Sequence, residues 1–147
     1  MSEPCAIPVA SAIILRETPD GTRVLLARRK LDAKLEAGKW EFPGGKLEPF
    51  EHPEQCLIRE IKEELDLEIT VGESFDVASH IYETPRGPVH ILLLAYLCRA
   101  TSEQFKLVDV ADACWVLAKD LGSFDYAAAD IATVEKLRKH LEKENSC

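Results

Sequence analysis

The chain contains no run of eighteen apolar residues, so nothing in its 147 residues is long enough to cross a membrane as a helix. Its start, Met1-Ser2-Glu3-Pro4, has neither the basic region nor the apolar segment of an export signal, which makes the cytoplasm the expected location. Cys5, Cys56, Cys98, Cys114 and Cys147 are odd in number and never spaced C-x-x-C, so neither a disulfide framework nor a zinc or redox pair is expected. They read as reduced thiols, most of them packing residues. Net positive charge is lacking too: the formal charge of −8 repels the phosphate backbone of long nucleic acid. A phosphate-bearing partner would need cations to bridge the two like charges. Repeats, low-complexity tracts and linkers are absent. The 46 % hydrophobic content suffices for one core without disulfides or structural metal, so residues 1–147 are expected to form a single domain.

What is present is a clear alternation of elements. Residues 7–15 are nearly all apolar or small, and Pro19-Asp20-Gly21 supplies turn chemistry before a second apolar run at 24–27. That pattern predicts a hairpin. Trp40-Glu41-Phe42 then leads into Pro43-Gly44-Gly45, which reads as a strand ending in a tight loop whose glycines take conformations other residues avoid. Over 53–65 the period becomes helical, with Leu57, Ile58, Ile61 and Leu65 on one side and Pro53 at the first position, where its missing N–H costs nothing. Residues 68–79 and 90–98 read as strands separated by a loop around Thr84-Pro85-Arg86-Gly87-Pro88, and 114–117 as a short further strand. A closing helix over 127–143 follows from Ile131, Val134, Leu137 and Leu141, spaced for one buried stripe. Strands flanked by two helices give an α/β or α+β sandwich.

On the first helix Glu60, Glu63 and Glu64 fall within an arc of roughly 100°, beside the apolar stripe rather than opposite it. A charge run alone is usually a solvated face. The longer string argues otherwise: Gly45, five residues, Glu51, seven residues, Arg59-Glu60-Ile61, one residue, Glu63-Glu64, one residue, Asp66-Leu67. Six fixed Gly, Glu and Arg positions at roughly 6 % background each coincide in on the order of one in ten million windows, which rules out chance. The string resembles the Nudix box. Cleaving a diphosphate, a dense anion, calls for hard divalent cations on oxygen ligands, which neutralise charge and lower the pKa of an attacking water. The resemblance implies that Glu60, Glu63 and Glu64 hold Mg2+ or Mn2+, with the Gly44 backbone carbonyl as a further ligand. One of the three carboxylates would activate the water, and which one is left open. For Arg59 it implies a role in orienting the carboxylates through charge-assisted hydrogen bonds.

The likeness covers nearly the whole chain. Val24-Leu25-Leu26-Ala27-Arg28-Arg29, Trp40-Glu41-Phe42-Pro43-Gly44-Gly45 and Ala129-Asp130 look like the MutT-type nucleoside triphosphate pyrophosphohydrolases, especially the CTP-cleaving branch. That group implies a Nudix α/β/α sandwich with a mixed sheet, the catalytic helix and a C-terminal helix, a small nucleotide substrate, and a homodimer left open. It also implies that Arg29 contacts the nucleotide, Phe42 lines the base pocket and Asp130 reads the base edge. An ionised Asp130 only accepts hydrogen bonds and would favour cytosine, whose amino group donates, over uracil. Asp109 stands where relatives carry a Glu that assists at the metal.

Three positions depart from the family pattern. Asp66 replaces the Gly that ends the helix in a left-handed conformation, which Asp tolerates better than most residues. His52 replaces an N-capping Thr or Ser, so the helix start is expected to lean on Glu51 or on water. Asp109, shorter than Glu, has less reach. The expected reaction splits a nucleoside triphosphate into monophosphate and pyrophosphate. An ADP-ribose or nucleotide-sugar hydrolase would use the same box, with Tyr82, Pro85 and Arg86 in a segment where subfamilies differ. The third reading is a catalytically silent nucleotide-binding domain, which would not need an intact carboxylate trio.

Overall fold

A computed structural model describes residues 5–145; Met1-Ser2-Glu3-Pro4 and Cys147 lie outside the described residues. The spine is β1 (Ile7–Thr18). Its even residues Ala10, Ala12 and Ile14 pack with Leu57, Ile61 and Leu65 of α1 (Pro53–Leu65), and its odd residues Ile13 and Leu15 pack with Val134, Leu137 and Leu141 of α2 (Ile131–Asn145). A strand covered on both faces reads as a continuous apolar run, which is why residues 7–15 show no alternation. The helices therefore lie on opposite faces of one mixed sheet, and the α/β/α sandwich is present. Burying Leu57, Ile61 and Leu65 completely contributes about 1.5 to 3 kcal/mol each.

The remaining strands are β2 (Gly21–Arg28), β3 (Trp40–Glu41), β4 (Gly44–Lys46), β5 (Ile69–Thr84), β6 (Gly87–Ala100) and β7 (Asp112–Leu117). The main order is β3-β2-β1-β6-β5, with β4 added to β1 and β7 to β2. Only β1 and β6 run parallel. Two hairpins share one turn chemistry: Thr18-Pro19-Asp20-Gly21 and Thr84-Pro85-Arg86-Gly87 each carry a threonine hydroxyl that donates to the glycine carbonyl, at 2.6 and 2.7 Å. Gly21 and Gly87 take φ of 125° and 108°, which other residues rarely adopt. The second turn is tighter than the loop expected there. Strands β5 and β6 pair all the way to Thr84 and Gly87, so only Pro85 and Arg86 lie outside the ladder.

Helix α1 has the expected bounds, with Pro53 in its first turn. Its start does not lean on Glu51: the His52 N–H donates to the Gln55 side chain at 3.1 Å, while Glu51 turns toward Arg59. Ile58 is half exposed and leaves the buried stripe, which runs through Cys56, Leu57, Ile61 and Leu65. Asp66 ends the helix at φ 50° and ψ 43°, its N–H on the Lys62 carbonyl, as a left-handed cap requires. At the C-terminal end a single 3-10 turn, Ala128–Asp130, precedes α2, so the helix begins later than residue 127. This turn puts Asp130 on the inward face with Thr133, Val134, Leu137 and Leu141 and leaves Ile131, expected in the stripe, exposed. Cys56 and Cys98 are buried, Cys5 is exposed and Cys114 half-buried, all four as free thiols. No helix of the described residues is long and apolar enough to cross a membrane.

Candidate active site

Gly44 and Gly45 do not form a turn. They lie in β4, paired with Ser11 and Ala10 of β1, and neither has a positive φ. Glycine is required there for space: a Cβ on Gly44 would fall on the Ala10 carbonyl oxygen, and one on Gly45 would fall on the carboxyl group of Glu60. The loop expectation is corrected accordingly, and the reason is close approach rather than backbone freedom. The second contact matters most, because it sets a carboxylate of α1 directly against the glycine backbone.

Arg59 organises the acidic edge of α1. Its Nε and Nη2 donate to the two oxygens of Glu51 at 2.8 and 2.9 Å, and Nη1 donates to Glu60 at 2.8 Å and to Glu63 at 3.4 Å. The fork holds the Glu51 carboxyl down at a pKa of about 2, and the same bonds push the guanidinium up. Glu60 is pushed up, chiefly by burial, with Arg59 opposing. Glu63 points outward to Arg59 and is largely exposed.

Glu64 behaves differently, since no arginine reaches it. Burial, followed by repulsion from Glu41, Glu60 and Asp109, raises its pKa to about 9. It lines a cleft with Arg29, Lys30, Glu41 and Asp109. Asp109 sits at the rim, its N–H on the Glu64 carbonyl at 3.1 Å and its carboxylate paired with Lys30 at 3.1 Å. Among the described residues no three His, Cys, Asp or Glu side chains close into a metal cage. Arg59 draws Glu60 and Glu63 to itself, while Glu60 also shares a hydrogen bond with Glu64. The donor set nevertheless fits Mg2+ or Mn2+: carboxylates and a backbone carbonyl are hard oxygen ligands, and Mg2+ keeps several waters rather than an all-protein cage.

A second cleft, open to solvent, adjoins Gly44 and Gly45 on the α2 side of the sheet. Val9, Ser11, Ile91 and Leu93 form its floor, with Phe42, Tyr82, Ala129 and Asp130 around it and Arg29 and Glu41 at the side shared with the acidic cleft. Arg29 donates to Glu41 at 3.1 Å and to the Leu35 carbonyl at 2.9 Å, fastening the following loop. Phe42 is buried, and its N–H donates to Asp130 at 3.3 Å. Asp130, 3 % exposed, is pushed well above the ordinary carboxyl range, by burial first and by Glu41 next. Desolvation outweighs the Phe42 N–H and Arg29 and pushes the carboxyl toward its neutral form. Tyr82 accepts a hydrogen bond from Ala129 N–H at 2.9 Å and pins the 3-10 turn that carries Asp130.

Residues 7–137 match the NUDIX domain. The chain belongs to the Nudix family. This Nudix protein is 48 % identical over 85 residues to the CTP pyrophosphohydrolase of Escherichia coli strain K12, a stretch covering 58 % of each chain. It is 46 % identical over 57 residues to the 8-oxo-dGTP diphosphatase of Proteus vulgaris, covering 39 % of this chain and 50 % of that one. The matched stretches thus span 58 % and 50 % of the length of these two curated relatives. Among solved structures, the MutT NUDIX hydrolase from Burkholderia pseudomallei is 30 % identical and superimposes with a TM-score of 0.73, covering 90 % of this chain and 98 % of that one. Its likenesses place this Nudix protein among the MutT-type members.

The structure brings Glu60, Glu64 and Asp109 to one edge and Arg29, Phe42, Asp130 and Gly44 to the adjoining cleft, with Glu63 at the outer margin. Three residues at or beside the candidate clefts were given no site role by sequence reasoning. Glu41 was read only as part of a strand, yet it is the carboxylate common to both clefts. Glu51 was expected only to support the start of the helix, and it is instead the anchor of Arg59. Ser11 is a polar residue inside a run otherwise built of apolar and small residues, and that interruption was its signal.

Proposed function

We propose that this Nudix protein hydrolyses the phosphoanhydride of a nucleoside triphosphate, CTP or dCTP among the candidates, to the monophosphate and pyrophosphate. The observation that carries the reading is the meeting of two clefts at Arg29 and Glu41, one acidic and one largely apolar with few polar groups, the composition a nucleoside needs. Glu60, Glu63, Glu64 and the Gly44 carbonyl would hold Mg2+ or Mn2+, with Asp109 nearby. When bound, such ions neutralise the phosphates and lower the pKa of the attacking water.

The chain's own residues do the rest. Arg59, fixed at two points by Glu51, holds the Glu60 carboxylate in one orientation against Gly45. Arg29 offers a cation between the clefts, where phosphate meets sugar. Phe42 supplies an apolar wall, and Asp130, whose one oxygen is taken by the Phe42 N–H, turns the rest of its carboxyl to the base. The water oxygen bonds to one of the two phosphorus atoms flanking the cleaved bridge, the bridging oxygen leaves on the other, and the water proton passes to a carboxylate. Long nucleic acid is not the partner, since the charge of −8 opposes it, and small cytoplasmic nucleotides are. The test is a panel of nucleoside triphosphates, ADP-ribose and nucleotide sugars with Mg2+. Pyrophosphate plus monophosphate is expected. AMP plus ribose phosphate would replace the substrate class, and no turnover on any member would overturn the enzyme.

A further inference from the structure

Ser11 is 2 % exposed, and its Oγ is the buried side-chain polar atom that has no hydrogen-bond partner among the described residues. A buried hydroxyl left unpaired is destabilising, so folded chains rarely keep one without a use for it. Its neighbours Ala10 and Ala12 face α1 and the carboxylates. In a strand the next side chain points the other way, which turns Ser11 from the acidic edge into the α2-side cleft. There it lies among Val9, Ile91, Leu93 and Phe42. The carboxyl and phenol groups of that cleft are engaged: Glu41 with Arg29, Glu36 with Ala128 N–H, Asp130 with the Phe42 N–H, Tyr82 with Ala129 N–H.

We propose that the Ser11 hydroxyl is a specificity-determining contact to the nucleobase, closing the hydrogen bond the protein leaves open. This rests on the nucleotide reading above. The ligand it takes is a flat, largely apolar ring with a hydrogen-bonding atom on the edge that enters the cleft. A phosphate is excluded because it belongs on the opposite face of β1, with the carboxylates of α1. The hydroxyl both donates and accepts, so it serves a ring nitrogen, an exocyclic amino group or a carbonyl alike.

The experiment compares the full chain as wild type, Ser11→Ala and Ser11→Thr, by steady-state kinetics with Mg2+ on CTP, dCTP, UTP and GTP, and by Tm without nucleotide. Ser11→Ala should raise KM for the best substrate about 3- to 10-fold, with a smaller fall in kcat, because one neutral hydrogen bond is lost. The same substitution should raise Tm by about 2 to 4 °C, since it removes an unpaired buried group. Ser11→Thr, which keeps a hydroxyl, should stay within about threefold of wild type. An increase in KM together with an increase in Tm is a pair of signs that a merely structural serine does not give. Unchanged KM in an active enzyme, a lower Tm for Ser11→Ala, or a penalty seen with ribonucleotides only, which would assign the partner to the sugar, each overturns the proposal. A wild type that turns over no nucleotide removes the nucleotide reading itself and this contact with it, a result distinct from an active wild type indifferent to the substitution.

Discussion

Arg59 grips Glu51 with two parallel hydrogen bonds of 2.8 and 2.9 Å and spends its remaining nitrogen on Glu60. The fork explains why a residue eight positions before Arg59 belongs to the motif: Glu51 fixes the guanidinium, and the guanidinium fixes Glu60. Lysine carries the charge but cannot form the fork. Arg59→Lys should therefore lower activity or Mg2+ affinity by about 10- to 100-fold, read as kcat and the Mg2+ concentration for half-maximal rate. Glu51→Gln should behave alike and also remove an acid limb. The Glu51 pKa is depressed to about 2 from 4.5, so its stabilisation is complete above the unfolded value and is lost as pH falls through about 2. Tm against pH should fall less steeply below 4.5 in Glu51→Gln than in wild type.

Glu64 and Lys62 lie two residues apart on α1 and face different surroundings. Glu64 enters the acidic cleft, whereas Lys62 is exposed and paired with Asp66 at 2.7 Å. Glu64→Gln keeps the shape and loses a charge, and should cost at least roughly 100-fold in kcat/KM. Lys62→Gln breaks a surface pair of small worth and should change the rate less than about twofold. Similar losses for the two would refute the placement of the acidic edge.

The helix that carries the chemistry was legible because the period of its buried residues and the motif agree on the same bounds, Pro53–Leu65. The cleft for the base was less so. Asp130 stands inward because a 3-10 turn shifts the phase of α2, and phase cannot be read when Ala127, Ala128 and Ala129 fit either face. Gly44 and Gly45 were legible as obligatory glycines, but their cause was not, since crowding by Ala10 and Glu60 comes from chain segments remote in sequence. The ionisation of Asp130 depends on burial and on Glu41, and neither acts until the chain folds.

A raised carboxyl has the opposite linkage to Glu51. Glu64 rises from 4.5 to about 9, so the metal-free protein holds a proton that the unfolded chain has lost, and stability falls as pH rises across that interval. Tm of chelator-treated protein should decline from about pH 5 to about pH 9, and saturating Mg2+ should flatten the slope, because a cation favours the ionised form. Chelator should also abolish turnover while the far-UV spectrum is retained. Turnover persisting in excess chelator would sink the metal-dependent reading.

Asp66 combines a left-handed backbone with ion pairs to Lys62 at 2.7 Å and Lys106 at 3.6 Å. Glycine relieves the first and forfeits the second, so the two effects oppose each other. Asp66→Gly should shift Tm by less than about 4 °C at low salt. In high salt, where exposed pairs are screened, the variant should equal or exceed wild type. A deficit that persists in high salt would show that the carboxylate matters beyond its lysines.

On the proposed function, the protonation state of Asp130 sets how the base is met. Burial and Glu41 favour its neutral form, and a neutral carboxyl donates through its O–H and accepts through its other oxygen, the same offer an amide makes. Cytosine presents an acceptor beside an amino donor, uracil a carbonyl beside an N–H, and a neutral acid can pair with either. The preference for cytosine that an ionised Asp130 would enforce should therefore be weak while the group stays protonated. As pH rises through its raised pKa the donor is lost, and wild-type KM should climb for both CTP and UTP. Asp130→Asn keeps donor and acceptor at every pH, so its KM should be flat and close to the wild-type value on the acid side, with a similar CTP to UTP ratio. Measuring kcat and KM for both nucleotides from mildly acid to alkaline pH, on both proteins, checks this. A large KM defect of Asp130→Asn on the acid side would mean that the carboxyl meets the base as an anion, held charged by a ligand group that the free protein lacks.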